Sequence, residues 1–388
     1  MRTAGRIDPI DAARGCAMLL VCFSHVRYRF DPDSALYFFL TYVTRIATPT
    51  FLLLSGFVAG YLLRTEPSQR VSVSLVDRGL FLLLVAHLLL GLADLPRVST
   101  VDWIFARATI PDAIGVSLCL AVLFRRASFG GLMSIGATLC LLSWFIAMVW
   151  DPQARWAAVA GRLLFNVQTQ STWLSDTSIL PYFGTFLLGM ALSLHVHDKV
   201  VRAQDDLIGR RLLTIGAVTI AIALLGVLAW HFAKHSLPTA LQEPYISTLL
   251  RQTLDPRHKW PPSPSYLLFY GGTGLLLAGI YFIGKPSKLI SPIVRHASVI
   301  GRASVMCFVL QDWLLLLAPQ LFGFAEIRSP AFWLAYVLGV IGALYFAATL
   351  WGRVHGNRFF TIGLRALYRR RTHAPAAIGV HAREPAPR

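Results

Sequence analysis

The chain has 388 residues, 55% of them hydrophobic and only 14% charged, with a net charge of +17 and a mean hydropathy of +0.59. Soluble domains carry about 25% charged residues, so the composition excludes an ordinary soluble enzyme and points to an all-α, polytopic membrane protein. The cations are spread over short loops and the C-terminus, and arginine outnumbers lysine 31 to 5. Contact with anionic lipid accounts for that excess, and no nucleic-acid partner is expected.

Ten apolar runs suit membrane spans, at about 9–27, 36–63, 74–95, 109–124, 129–149, 179–196, 211–232, 264–284, 301–319 and 331–352. The fourth is short, and the second is long and carries Pro49, which predicts a kink. The start "MRTAGRIDPIDAARG" makes a poor signal peptide, because Asp8, Asp11 and Arg14 interrupt any apolar core. The first helix is therefore expected to be retained. An even number of spans puts both termini on one side. The segments on that side hold 23 lysines and arginines against 11 opposite, leaving out Arg14 and Arg45. That bias predicts cytoplasmic termini. Residues 1–368 read as one membrane domain, followed by a basic, disordered tail over 369–388.

In the opening span "DPIDAARGCAMLLVCFSH", Asp8 is the expected N-cap, Pro9 the first helical residue, and Asp11 a carboxylate facing the positive dipole end. Arg14 and His25 lie eleven residues apart, close to three whole turns, and so share one face about 16 Å apart. Ionisable groups within a span cost roughly 2.5–3.5 kcal/mol each on insertion scales, so they need partners or a task. Snorkelling or pairing with Asp11 would account for Arg14, and a bond to a carbonyl for His25; a polar-lined passage accounts for both together.

Further along, Arg45 lies about nine residues into the second span, beside Thr44, Thr48 and Pro49. Gln311 and Asp312 interrupt "VMCFVLQDWLLLL", where Asp312 would pair with Arg45, orient His25, or form a purely structural ion pair. His87, alone in span three, reads as structural. "LSG" (54–56) lacks the flanks of a hydrolase elbow, and Gly56 suits close helix packing. "HVHD" (195–198) reads as solvated surface, the five cysteines as buried apolar residues, and no metal site is expected. No nucleotide-binding loop or zinc-protease motif occurs. The outer loops carry Trp150, Trp156, Trp173 and Trp260 with Arg251, Arg257, His258 and Lys259. These suit either a sugar ring or an aromatic belt at the headgroups.

With these residues in place, "RIDPIDAARGCAMLLVCFSHVR" (6–27) resembles the opening of the bacterial relatives of heparan-α-glucosaminide N-acetyltransferase. Further matches follow in family order: "FLTYVTRIATPTFLLLSGF" (39–57), "DRGLFLLL" (77–84), "PDAIGVSLCLAVL" (111–123), "LPYFGTFLLGMALS" (180–193), "HKWPPSPSYLLFYGG" (258–272) and "IGRASVMCFVLQDWLL" (300–315). The resemblance implies a multi-pass acetyltransferase of the bacterial inner membrane. It would take an acyl group from cytosolic acetyl-CoA, a co-substrate, to an amino or hydroxyl group of a glycan outside. The family's catalytic histidine falls on His25.

The expected catalytic set is His25, Arg45, Gln311 and Asp312, with Arg45 or Gln311 facing the oxyanion. Arg14, Arg78 and Asp11 would serve the CoA end, and Asp112, His258, Lys259, Trp260 and Ser263 the acceptor. Partners implied are the lipid bilayer and the glycan, with a homodimer open. Relatives often carry Asp where Ser24 stands and His where Gln311 stands; glutamine can hydrogen-bond but cannot act as a base. A transporter using Arg14, Arg45, Asp312 and His25 as a substrate or proton path is the alternative. A scaffold subunit would leave Arg14 and His25 without a task.

Overall fold

A chain this apolar has to satisfy its backbone hydrogen bonds inside its own helices. The computed structural model describes residues 7–97, 107–167, 177–233, 244–284 and 287–373, and these contain helices and no strand. In chain order they are α1 (Asp8–Val26), α2 (Ala35–Thr65), α3 (Gln69–Asp94), α4 (Ile110–Phe124), α5 (Phe129–Val149), α6 (Arg155–Phe165) and α7 (Ile179–Val201). Then come α8 (Asp205–Ala233), α9 (Pro244–Leu254), α10 (Pro264–Gly284), α11 (Ile290–Arg302), α12 (Ser304–Leu321), α13 (Pro330–Arg353) and α14 (Leu364–His373). Among the described residues nine helices are long and apolar enough to cross a membrane, and the shorter α4 accounts for the fourth expected span. The chain is an all-α, polytopic integral membrane protein.

The helices sort into an inner and an outer set. In α2, 83% of the apolar window is buried, against 17% in α8, whose Val218, Ile222, Leu225 and Leu228 are exposed. Helices α1, α2, α7 and α10 form the centre, with α11 against α1, α5 against α7 and α8 against α10. Two crossings are backbone to backbone. A Cβ on Gly301 would overlap the Asp11 carbonyl, and one on Gly15 the Ala297 carbonyl, so α1 and α11 touch where both lack side chains. Gly56 lies against Phe186 and Gly189 against Leu53 in the same way, which is the packing role expected of Gly56.

The sequence expectations for several element ends differ from what is observed. Ile7, not Asp8, is the N-cap of α1; Asp8 is already helical and its carboxylate is 2.8 Å from Arg302 Nη2. That pairing across helices replaces a local cap. The kink in α2 is a 3-10 turn at Thr44–Ile46, just before Pro49. Proline has no N–H to donate to the carbonyl four residues back, and the carbonyl so released, on Arg45, accepts from Tyr266 Oη at 3.2 Å.

Residues 290–300, expected as loop, together with the first two residues of the expected span 301–319 form amphipathic α11, with Val294, Ala297, Ser298, Ile300 and Gly301 on the buried face. Helices α6 and α9 occupy stretches also expected as loop. Helix α14 continues past Arg369 into the expected tail; residues 374–388 and Trp173 lie outside the described residues.

Two helices change pitch where polar residues sit. A π-helical turn at Leu82–Ala86 immediately precedes His87 in α3, and another at Trp313–Leu317 immediately follows Asp312 in α12. Such turns concentrate at functional sites. The two helices are joined there, because Trp313 Nε1 donates to the Leu89 carbonyl at 2.8 Å.

Candidate functional site

Helices α1 and α12 set the site, because both carry polar residues along an otherwise apolar length. At one level Arg14 Nη2 donates to Ser304 Oγ at 2.8 Å, and its Nη1 lies 3.8 Å from Asp11. Eleven residues on in α1, His25 Nε2 lies 3.4 Å from the Asp312 carboxylate, eight residues on from Ser304. The helices therefore run side by side in the same direction and meet through polar groups at both levels. Asp312 is 2% exposed and Gln311 0%, while the His25 side chain is 23% exposed, so the carboxylate is sealed and the imidazole is reachable. Of the pairings expected for Asp312, the one realised is with His25.

Gln311 Nε2 donates to the Asp312 carboxylate and to the Phe308 carbonyl, the latter at 3.2 Å. The amide thus holds the carboxylate that faces the histidine. Ser24 Oγ donates to the Val21 carbonyl at 2.9 Å, within its own helix.

A chain of three cavities leads toward this pair from the end of the bundle that carries the start of α1. The outermost, 680 Å³, is walled by Arg78, Arg302, Arg353, Arg358 and Arg365. The next, 150 Å³, shares Arg78, Arg302 and Asn357 with it and adds Arg14 and Ser304. The innermost, 40 Å³, shares Arg14, Ser55 and Ser304 and is closed by Phe51, Pro111, Phe308 and Val309. Phe308 is one helical turn before Asp312. The passage is cationic and wide at its mouth, narrow and apolar within. Arg14 stands at the change of character, and its buried Nε makes no hydrogen bond among the described residues.

Other sequence-predicted residues fall elsewhere. Arg45 is directed to the loop before α10: its Nη1 donates to the Arg257 carbonyl at 2.8 Å, and it lies over the Tyr42 ring. In that loop His258 Nδ1 is 3.0 Å from the Pro261 carbonyl and the ring meets Trp144 edge to face; Lys259 lies over Trp260. Ser263 is fully buried, donating to the Asp255 carbonyl and accepting from Tyr266 N at the start of α10. Burial pushes the Asp255 carboxyl up, but hydrogen bonds from Arg257 outweigh it and hold it below the usual carboxylate range.

Asp112 accepts from Thr109 N at 2.6 Å and Oγ1 at 2.7 Å and receives His87 Nδ1 at 3.0 Å, joining α3 to α4. His195 takes a hydrogen bond from Arg211, and among the described residues no three His, Cys, Asp or Glu side chains gather as a metal site.

Two contributors escaped the sequence reading. Arg302 and Ser304, on either side of the α11–α12 break, line the passage, and the residues after α13 supply Arg358 and Arg365 to its mouth. The phrase "IGRASV" (300–305) carries a Gly and two polar residues that could have signalled the first. Nothing local signals the second, because it depends on a fold-back contact more than 280 residues away in sequence.

No curated protein and no solved structure matches the chain. Residues 6–234 match the family described as heparan-alpha-glucosaminide N-acetyltransferase, catalytic. That stretch covers more than half of the chain and contains Arg14, His25, Arg78 and Asp112. The protein belongs to this family of transmembrane acetyltransferases.

Proposed function

We propose that this protein moves an acetyl or short acyl group from acyl-CoA in the cytoplasm to an amino or hydroxyl group of a carbohydrate on the outer face of a bacterial cytoplasmic membrane. Both termini are then cytoplasmic, and the arginine-walled mouth faces the cytosol. The observation that carries this reading is the alignment of that mouth, the narrow apolar neck and the His25–Asp312 pair along α1 and α12. Arginines complement phosphates, and a slender apolar neck suits the arm that carries a thioester.

In this mechanism His25 takes the proton from the acceptor amine or hydroxyl as its nitrogen or oxygen bonds to the thioester carbonyl carbon. The C–S bond then breaks, and His25 returns the proton to the departing thiolate. In the covalent variant a neutral His25 nitrogen bonds to the thioester carbonyl carbon, the C–S bond breaks and the ring proton leaves with the CoA thiolate. The acceptor nitrogen or oxygen then bonds to the acyl carbon, the C–N bond to His25 breaks and the acceptor's proton returns to the ring. Both routes run through the His25 ring nitrogens, and the Asp312 carboxylate, 3.4 Å from Nε2, orients the ring in each. Gln311 fixes Asp312 and does not carry a proton itself. Arg45, fastened to the loop of His258, Lys259 and Trp260, orders the acceptor side.

The test is thiol release by the purified protein supplied with acetyl-CoA and a panel of amino sugars and hydroxylated glycans, with the product identified by mass. An acceptor-dependent mass gain of one acetyl group is expected. Solute flux across proteoliposomes without acyl transfer would replace this reading with a transporter.

A further inference from the structure

The strongest polar anchor outside the His25 site lies at the mouth of the passage. Asp77, in α3, is fully buried, and every partner named for it comes from the segment after α13. Its Oδ1 accepts from Ile362 N at 3.1 Å and Leu364 N at 3.2 Å; its Oδ2 accepts from Thr361 Oγ1 and from Arg365 Nε at 2.8 Å. A carboxylate from a membrane span thus caps the first turn of α14, 287 positions away, where helix N–H groups have no intrahelical acceptor.

The segment is tied at its other end as well. Asn357 Nδ2 donates to the Arg302 carbonyl at 3.0 Å, and its Oδ1 accepts from Trp351 Nε1 at 3.1 Å. Between the ties, Phe360 packs on Phe81 and Trp351. Residues 356–365 therefore form a strap closed over the outer cavity.

The strap changes what that cavity can hold. Among the described residues the wall contains Arg78, Arg302, Arg353, Arg358 and Arg365 and no Asp or Glu. Asp77 offsets Arg365 and Asp8 offsets Arg302, both from outside the wall, while Arg353 and Arg358 are exposed at its rim. A cavity of 680 Å³ with such walls fits a group bearing several phosphates. All of the strap lies beyond residues 6–234, so the family match does not extend to it.

We propose that the strap, latched by Asp77, forms the phosphate-binding wall of the mouth, with Arg353 and Arg358 holding the phosphates at the nucleotide end of the donor. This rests on the acyl-CoA reading above. Asp77 is a positioning residue: it places the wall without touching the ligand.

The experiment compares full-length wild type, the Arg353→Ala/Arg358→Ala double variant, Asp77→Asn and an Arg328→Ala control. Steady-state thiol release is measured together with binding of adenosine 3′,5′-diphosphate and of adenosine. The double variant should raise KM for acetyl-CoA at least about tenfold, the scale of one lost charge-assisted contact, with kcat within about threefold. It should weaken the diphosphate and leave adenosine unchanged. Asp77→Asn should reproduce the KM rise. The double variant alters two exposed residues, so its result stands even where Asp77→Asn fails to fold.

Turnover by wild type with KM unchanged in the double variant overturns the strap site and leaves the proposed function intact. Absence of turnover in wild type counts against the proposed function. In that case arginine-dependent diphosphate binding still upholds the site, and no binding overturns it. Arginine-dependent stabilisation by phosphatidylglycerol nanodiscs, with no diphosphate binding, overturns it in favour of a lipid headgroup.

Discussion

At the scale of residues, the polar groups inside the bundle fall into two kinds. Asp112 and Ser263 complete helix starts, whereas Asp312 faces an imidazole that is open to approach. Asp312→Asn removes the negative charge but keeps a hydrogen-bonding amide, so the fold should survive while turnover falls by about 100-fold, within the range of acid–base contributions. Thiol release and thermal unfolding measured on the same preparation separate the two effects.

Asp255 offers a residue-scale test of the outer loop. Its carboxyl is held low by Arg257 in the folded protein, so its contribution is present above the unfolded value of about 3.9 and is lost as pH falls through the lower folded value. The stability difference between wild type and Asp255→Asn should therefore be constant near neutrality and shrink below about pH 4. A difference that grows on acidification contradicts that account. Arg14, His25 and Asp312 were legible in the sequence because each is costly in an apolar run. Which of the pairings expected for Asp312 would form was not legible, since α1 and α12 are almost 300 residues apart in sequence.

At the scale of elements, membrane helices pack by shape more than by hydrophobicity, and the α1–α11 crossing depends on two absent side chains. Gly301→Ala should separate these helices, displace Arg14 and Arg302 together, and lower stability by about 1–3 kcal/mol with a loss of turnover. Gly339→Ala in α13, where an added methyl meets nothing within 4 Å, should be neutral or stabilise slightly. Equal effects of the two in a thermal-unfolding assay would contradict the close-approach argument. Spans were readable because a 17–25-residue apolar run has few alternatives. Helix α11 was not readable that way: its apolar positions form only one face, and Lys288 and Arg295 made the stretch look like a loop. The π turns beside His87 and Asp312 leave no mark in composition at all.

At the scale of the whole molecule, the bundle separates a cationic mouth from a His–Asp pair by a narrow apolar neck, and the chain belongs to a family of acetyltransferases; the proposed function joins the two. The molecule also contains its own control. His87–Asp112 is a second buried His–Asp contact, but its carboxylate is committed to the start of α4. The most direct measurement is acetyl-CoA turnover by wild type, His25→Ala and His87→Ala, each checked for folding by thermal unfolding. Turnover reduced at least about 100-fold in folded His25→Ala and retained in His87→Ala is the predicted result. Wild-type turnover in folded His25→Ala would contradict the claim that this histidine performs the transfer.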